Sequence, residues 1–238
     1  MTQRDIMGLV ASYIYAFGLL FVVEAIGKKL KWPQYLTRKI VHIGAGMWIW
    51  GILALFDTWS IGIIPFATFI VLNYVFYRYQ IFKAMDTVDS SSGTVYFAIS
   101  ITTLFALLWR TAGTDRVHLA AAAVMAMTWG DGMASIIGQR MGTHLYKASG
   151  SSKSWEGTTA MAAFSFLSML LTLWLLPGSA LSPNSLPLSL RTATPLAAAG
   201  TLVATAAESL SPKGTDNLTV PLLTGLVLFG LSALLGLI

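Results

Sequence analysis

The sequence predicts an all-α fold, a polytopic integral membrane bundle of seven to eight transmembrane helices with eight as the working count. Two observations carry that expectation. Of the 238 residues, 55% are hydrophobic and only 11% are charged, about half the ~25% of a soluble domain. With a mean hydropathy of +0.70, too few polar side chains remain to cover a water-soluble fold. The apolar excess also lies in long windows rather than short alternating runs. A window of about twenty apolar residues is the length that crosses the hydrocarbon core as a helix. No water is available there to satisfy an open backbone, so disorder and a β-barrel are both excluded.

The windows run Ile6–Ile26, Lys39–Phe56, Trp59–Tyr77, Gly93–Trp109, Val117–Gln139, Gly157–Leu176, Thr192–Leu210 and Leu218–Leu237. The first follows Arg4 and Asp5, fills one membrane width and lacks a small-residue cleavage site, so it reads as a retained span rather than a leader. The second is short. The seventh, with Pro195, Gly200 and many Ala and Thr, is weakly hydrophobic and suits burial among neighbours better than lipid exposure; discounting it leaves seven. Between the sixth and seventh, Pro177, Gly178, Pro183, Asn184 and Pro187 mark a loop. The expectation is a single membrane domain over residues 1–238 without internal repeats.

Charge sets the orientation. Eleven of the fifteen Lys and Arg residues fall in alternate loops on one side, in 28–39, 78–83, 140–153 and at Lys213, while Arg4, Arg110, Arg116 and Arg191 fall on the other. The richer side is expected to be cytoplasmic, with both termini outside. The formal net charge of +5 is thereby assigned to membrane orientation, and nucleic acid is not an expected partner. Cysteine is absent, which excludes disulfides, thiolate metal sites and cysteine nucleophiles. Oligomeric state is not legible.

Polar residues concentrate in three clusters on the cytoplasmic side. The first runs from Trp129-Gly-Asp131 to Gly142 and on through Lys147 to Gly157. Asp131 falls inside an apolar helix, where an ionised carboxylate is costly unless it is paired or binds a metal. Ala134, Ser135, Gly138 and Gly142 follow at steps of three and four, putting small residues on its face; a helix-packing seam and a ligand approach both fit. Gly150-Ser-Ser152-Lys153-Ser154 precedes the sixth helix, where backbone N–H groups and a lysine can cradle a phosphate; a flexible loop with a solvated lysine also fits. It is not a Walker loop, because Ser152 rather than Gly precedes the lysine. Glu156 lies in the first helical turn, which the helix dipole favours by itself.

The second cluster is Arg38-Lys39-Ile-Val-His42, with Arg38 and His42 one turn apart. It suits either a polyanion or a positive-inside anchor. The third is Glu208-Ser-Leu-Ser-Pro-Lys-Gly-Thr-Asp216-Asn217, in which Asp216 and Asn217 also read as a helix cap. The turn Ser90 to Thr94 lies on the same side. His118 and His144 are expected in structural roles near the two membrane surfaces, and Glu24 is expected to snorkel or to pair with a nearby lysine. The tryptophans near span ends read as an interfacial belt. Carboxylates beside a phosphate-cradling lysine loop, within a lipid-embedded bundle, suit Mg²⁺-assisted phosphoryl transfer from a nucleotide to a membrane lipid.

The ordered set Arg38-Lys-x-x-His42, Gly130-Asp131-x-x-Ala134-x-x-x-Gly138, Lys153-Ser154-x-Glu156-Gly157 and Glu208-x-x-Ser211-x-x-Gly214-x-Asp216-Asn217 resembles the CTP-dependent polyprenol kinases. These include phytol, farnesol and dolichol kinases, and the prokaryotic phytol kinase type is the nearest match. The resemblance covers about Arg38 to Pro221. It implies transfer of the CTP γ-phosphate to an isoprenoid alcohol in a prokaryotic cell membrane, giving a prenyl monophosphate and CDP.

Carried over by motif, Asp131, Lys153, Glu156 and Glu208 are the catalytic candidates, with Asp131 and Glu208 as Mg²⁺ ligands and either as the general base. Arg38, Lys39, His42, Gly138, Ser152, Ser154, Gly157, Asp216 and Asn217 are the candidates for nucleotide and phosphate binding. Two alternatives stand beside this reading. A CDP-alcohol phosphotransferase shares Asp-Gly-x-x-Ala, but Ser135 replaces its Arg and its further aspartates are missing. A small ion-coupled transporter would use Asp131 as its ion site.

Overall fold

A computed structural model describes residues 1–79, 81, 92–149, 151–212 and 214–238. Within them the helices are α1 Gln3–Lys29, α2 Gln34–Met47, α3 Ile49–Leu55, α4 Trp59–Gly62, α5 Ile64–Tyr79, α6 Gly93–Leu108, α7 Val117–Met125, α8 Gly132–Met141, α9 Trp155–Leu175, α10 Leu190–Leu210 and α11 Asp216–Leu234. A π-helical turn, Ala126–Asp131, joins α7 to α8. A hairpin of β1 Leu145–Ala148 and β2 Ser151–Ser154 precedes α9. Taking α2–α3, α4–α5 and α7–π–α8 as broken rods, the described residues form eight rods at the eight apolar windows. The fold is an all-α membrane bundle. Five rods, Gln3–Lys29, Trp59–Tyr79, Val117–Met141, Trp155–Leu175 and Asp216–Leu234, are long and apolar enough to cross a membrane, and Gly93–Leu108 is apolar but shorter.

Local chemistry sets the boundaries. Thr2 and Asp5 form a reciprocal capping box at the start of α1, and Asp5 reaches on to the backbone N–H groups of Asp57 and Thr58. One buried carboxylate thus caps a helix and ties it to the next loop. The second rod begins at Gln34 rather than Lys39, because Pro33 takes the N-cap position, where its missing N–H costs nothing. It breaks at Trp48 before α3. Lys28 pairs with Glu24 at 2.7 Å, as expected.

The core differs from expectation in one respect. The rod surrounded by neighbours is the fifth, with every residue from Val117 to Thr128 buried. Its alanine run lets α6, α9 and α11 approach from several sides, which is the close packing small side chains permit. The weakly hydrophobic α10 instead buries one stripe, Ala193, Leu196, Ala197, Gly200, Ala204 and Glu208, and turns Leu202 outward at 73% exposure. The buried stripe follows the 3.6-residue period of a helix with one packed face.

At the end of the bundle away from α2's N-terminus, a polar knot fastens the 177–189 loop. Asp115 accepts from the N–H groups of Arg110 and Val117 and from Ser182 Oγ, and Ser185 hydrogen-bonds His118 Nδ1 at 3.2 Å. His118 is therefore structural, as expected. Burial pushes the Asp115 carboxyl above its ordinary value despite these donors. Asp115→Ala leaves several buried donors unpaired, each costing roughly 1–3 kcal/mol. The expected result is a melting temperature in detergent lowered by several degrees.

Candidate active site

At the opposite end, the start of α2, the end of α8, the hairpin, the start of α9, the end of α10 and the start of α11 surround a cavity of about 430 Å³. Its lining includes Arg38, Lys39, Asp131, Gly138, Ser152, Lys153, Ser154, Gly157, Glu208, Asp216 and Asn217. The three separate sequence clusters meet here. Ser90 and Ser91 of the Ser90–Thr94 turn lie outside the described residues, as do Gly150 and Lys213.

Asp131 ends the π-helical turn and is 5% exposed. A widened turn shifts the phase of everything after it, and such turns recur at functional sites. The turn seats closely against α2: a methyl group in place of the Gly46 hydrogen would overlap the Thr128 side chain. That approach brings Lys39 Nζ to 2.5 Å from Asp131 Oδ2 and His42 Nε2 to 3.6 Å from the same oxygen. His42 also packs on Phe97, with ring centroids 4.5 Å apart.

A second pair faces the first. Lys153, on β2, donates to Glu208 Oε1 at 2.6 Å and to the Glu208 backbone carbonyl. Hairpin pairing fixes this reach, with Lys153 opposite Tyr146 and Tyr146 Oη bonded to Thr158 and Ser209. The segment read as a Gly/Ser loop is thus largely strand. Both ion pairs are mostly buried, with side chains 17% and 7% exposed for Lys39–Asp131 and 15% and 11% for Lys153–Glu208. Two oxygens of the cavity residues, Glu208 Oε2 and Asn217 Oδ1, are buried without a hydrogen-bond partner among the described residues. Asp216 opens α11 just after the N-cap Thr215, accepts from the Asn217 N–H at 2.9 Å and lines the cavity; it does not cap the helix as the sequence allowed.

Several expectations change. Ser154 is the N-cap of α9, accepting from the Gly157 N–H at 3.1 Å. Gly138 and Gly157 make the α8–α9 crossing: a Cβ on Gly157 would lie 2.9 Å from the Ala134 carbonyl oxygen and 3.3 Å from Gly138 Cα. Both border the cavity, but packing alone requires them. Glu156 is not brought to the cavity. Adjacent helical residues point about 100° apart, so with Gly157 facing α8, Glu156 turns to Thr143 Oγ1 and His144 Nδ1, each at 2.7 Å. His144, expected in a structural role, is its partner. Since an exposed pair contributes little, Glu156→Gln is expected to keep turnover within about threefold of the wild type in an activity assay. Tyr35, Ser151 and Thr158 also line the cavity, and only their places in the fold mark them.

Among the described residues no three His, Asp or Glu side chains form a ready metal cage. What the site offers is two carboxylates neutralised by two lysines, with Asp216, Arg38 and helix and strand termini around them. An anion can draw the lysines away while a cation takes the carboxylates.

The chain is 34% identical to a phytol kinase of Synechocystis sp. over 229 residues, 93% of this chain and 89% of that protein. It is 29% identical to a probable chloroplastic phytol kinase of Glycine max over 94% of this chain and 71% of that one. A chloroplastic farnesol kinase of Arabidopsis thaliana is 28% identical over 68% of this chain and 55% of its own length. No protein-family model and no solved structure matches the chain. Identity of this level over nearly the whole of both chains shows that the protein belongs to the phytol kinase family.

Proposed function

We propose that the protein is an isoprenoid-alcohol kinase that transfers the γ-phosphate of CTP to phytol or a related prenol, releasing CDP and the prenyl monophosphate. One observation carries the reading: two lysine–carboxylate pairs, Lys39–Asp131 and Lys153–Glu208, line one cavity in a chain of the phytol kinase family. CTP is the donor implied by the motif resemblance, and the related kinases supply the acceptor class.

Phosphoryl transfer passes through a loose transition state, so the protein's task is to position the reactants and neutralise charge. Lys153, Arg38 and Lys39 meet the donor phosphates, with the backbone around Ser152 on the same wall. Mg²⁺ suits the donor set, because hard oxygen ligands predominate and, among the described residues, Glu208 Oε2 and Asn217 Oδ1 are buried with nothing to accept. Asp131 and Glu208 would hold it, with Asp216 and Asn217 nearby. Bound there, Mg²⁺ would neutralise the charge that develops on the β- and γ-phosphate oxygens. Few protein ligands are needed, since Mg²⁺ keeps waters and takes substrate phosphates. In this reading the cavity end of the bundle faces the cytoplasm of a prokaryotic cell, as the positive-charge bias expects.

The test uses two forms of CTP, one labelled at the γ-phosphate and one in the cytidine. Purified protein with Mg²⁺ and phytol, farnesol or geranylgeraniol should move only the γ label into lipid. Transfer of neither label sinks the kinase reading, and so does cytidine label in lipid, which would mean cytidylyl transfer with loss of pyrophosphate instead of phosphoryl transfer.

A further inference from the structure

A second cavity, of about 140 Å³, adjoins the first and differs in chemistry. Arg38, Lys39 and Asn217 line both, so the two meet at one wall. His42 lines only the second cavity and Asp131 only the first, yet they approach to 3.6 Å. The wall therefore includes Lys39, the ion-pair partner of Asp131, and His42 beside it. Away from it the lining is mostly apolar, with Ser12, Tyr15, Asn73 and Thr94 as its polar members.

The second cavity follows the helix axes. Its residues run from Leu20 to Ser12 on α1, from Asn73 to Pro65 on α5 and from Gly93 to Ile101 on α6. Each spans nine residues, eight rises of 1.5 Å or about 12 Å. On α2 it continues through Ala45 to Trp48. That far end is closed by Trp48, whose ring stacks on Tyr15 at 4.2 Å and whose Nε1 donates to Ser12 Oγ. A groove that is cationic and polar at one end, apolar along its length and closed by aromatics suits a ligand with one polar terminus on a hydrocarbon chain.

We infer that this groove between α1, α2, α5 and α6 is the tail subsite of the alcohol acceptor, with the hydroxyl at the Lys39–His42 wall and the Tyr15–Trp48 stack limiting the chain length held inside. The inference rests on the kinase reading for the identity of the chain. It accounts for how a lipid-borne hydroxyl meets a water-soluble nucleotide: each substrate occupies its own cavity, and they touch only at the wall. Ala16 and Ala45 line the groove from facing helices, and a larger side chain at either would fill it.

The experiment photolabels wild-type protein in nanodiscs with a phytol analogue carrying a diazirine in its tail. Labelled peptides are expected from α1, α2, α5 or α6, with labelling displaced by excess phytol and unaffected by excess phospholipid. Labelling confined to α9–α11, or displaced equally by phospholipid, overturns the inference. In parallel, Ala45→Phe and Ala16→Phe should each raise the KM for phytol at least about tenfold while the KM for CTP shifts less than about twofold, and Trp48→Ala should move preference toward longer alcohols. Unchanged phytol KM in folded, active Ala45→Phe and Ala16→Phe protein overturns it as well. If wild-type protein phosphorylates no alcohol, the kinase reading fails, and the labelling pattern still decides whether the groove binds a prenol.

Discussion

Replacing Asp131 by asparagine is expected to lower turnover by at least about 10²–10³-fold, the loss usual when one group of a preorganised charged site is removed. It should also destabilise the protein. Lys39 Nζ sits 2.5 Å from the carboxylate with only 17% of its side chain exposed, and breaking a buried pair by deleting one partner leaves an uncompensated charge at a cost of about 3–5 kcal/mol. The two effects separate in a double variant. Lys39→Met with Asp131→Leu removes both charges, and replacing a buried pair by apolar residues is often neutral. Its melting temperature should return close to that of the wild type while turnover stays lost. A double variant that regained activity together with stability would assign the pair to folding alone.

Lys153→Met is expected to cost a similar factor in turnover and, in addition, to raise the KM for the nucleotide, since the ammonium is placed to meet donor phosphates. Its structural cost arises at Glu208, where Oε1 loses a 2.6 Å partner while Oε2 already has none among the described residues. Lys153→Met with Glu208→Gln removes the stranded charge and should restore thermal stability without restoring turnover. Lys153→Arg keeps the charge but exchanges a compact ammonium for a planar fork. Partial rescue of nucleotide KM by Arg, with none by Met, marks a phosphate contact rather than a packing role. Measured on one preparation, KM, turnover and melting temperature distinguish these outcomes.

Much of the fold was legible because a membrane helix is a local pattern: twenty apolar residues announce it wherever they lie. The positions of Asp131 and Lys153 were legible for a related reason, as charge stands out against an apolar chain. Their partners were not. Lys39 meets Asp131 across 92 residues and Lys153 meets Glu208 across 55, and no periodicity encodes such pairings. The π-helical turn that aims Asp131 departs from the 3.6-residue period, so a regular helix was the natural expectation. Glu156 lies off the cavity, which its first-turn position did not foretell, because only the packing of Gly157 on α8 decides which way it points. The hairpin was hidden by its Gly and Ser content, which is depleted in strands. The apolar groove drew residues from four helices and left no mark in any one of them. The buried Ala-rich rod shows the opposite case, since hydropathy alone does not rank helices by burial when small side chains admit neighbours on every side.

The most direct test of the account compares wild-type protein with Asp131→Asn and Lys153→Met in phytol-loaded nanodiscs, with Mg²⁺ and γ-labelled CTP, measuring CDP and labelled lipid together. The account predicts phytyl monophosphate and CDP in equal amounts from the wild type and at most about a hundredth of that from either variant. Equal product from all three proteins would remove the reaction from this cavity, and no product from the wild type with any nucleotide and any prenol would contradict the assigned activity itself.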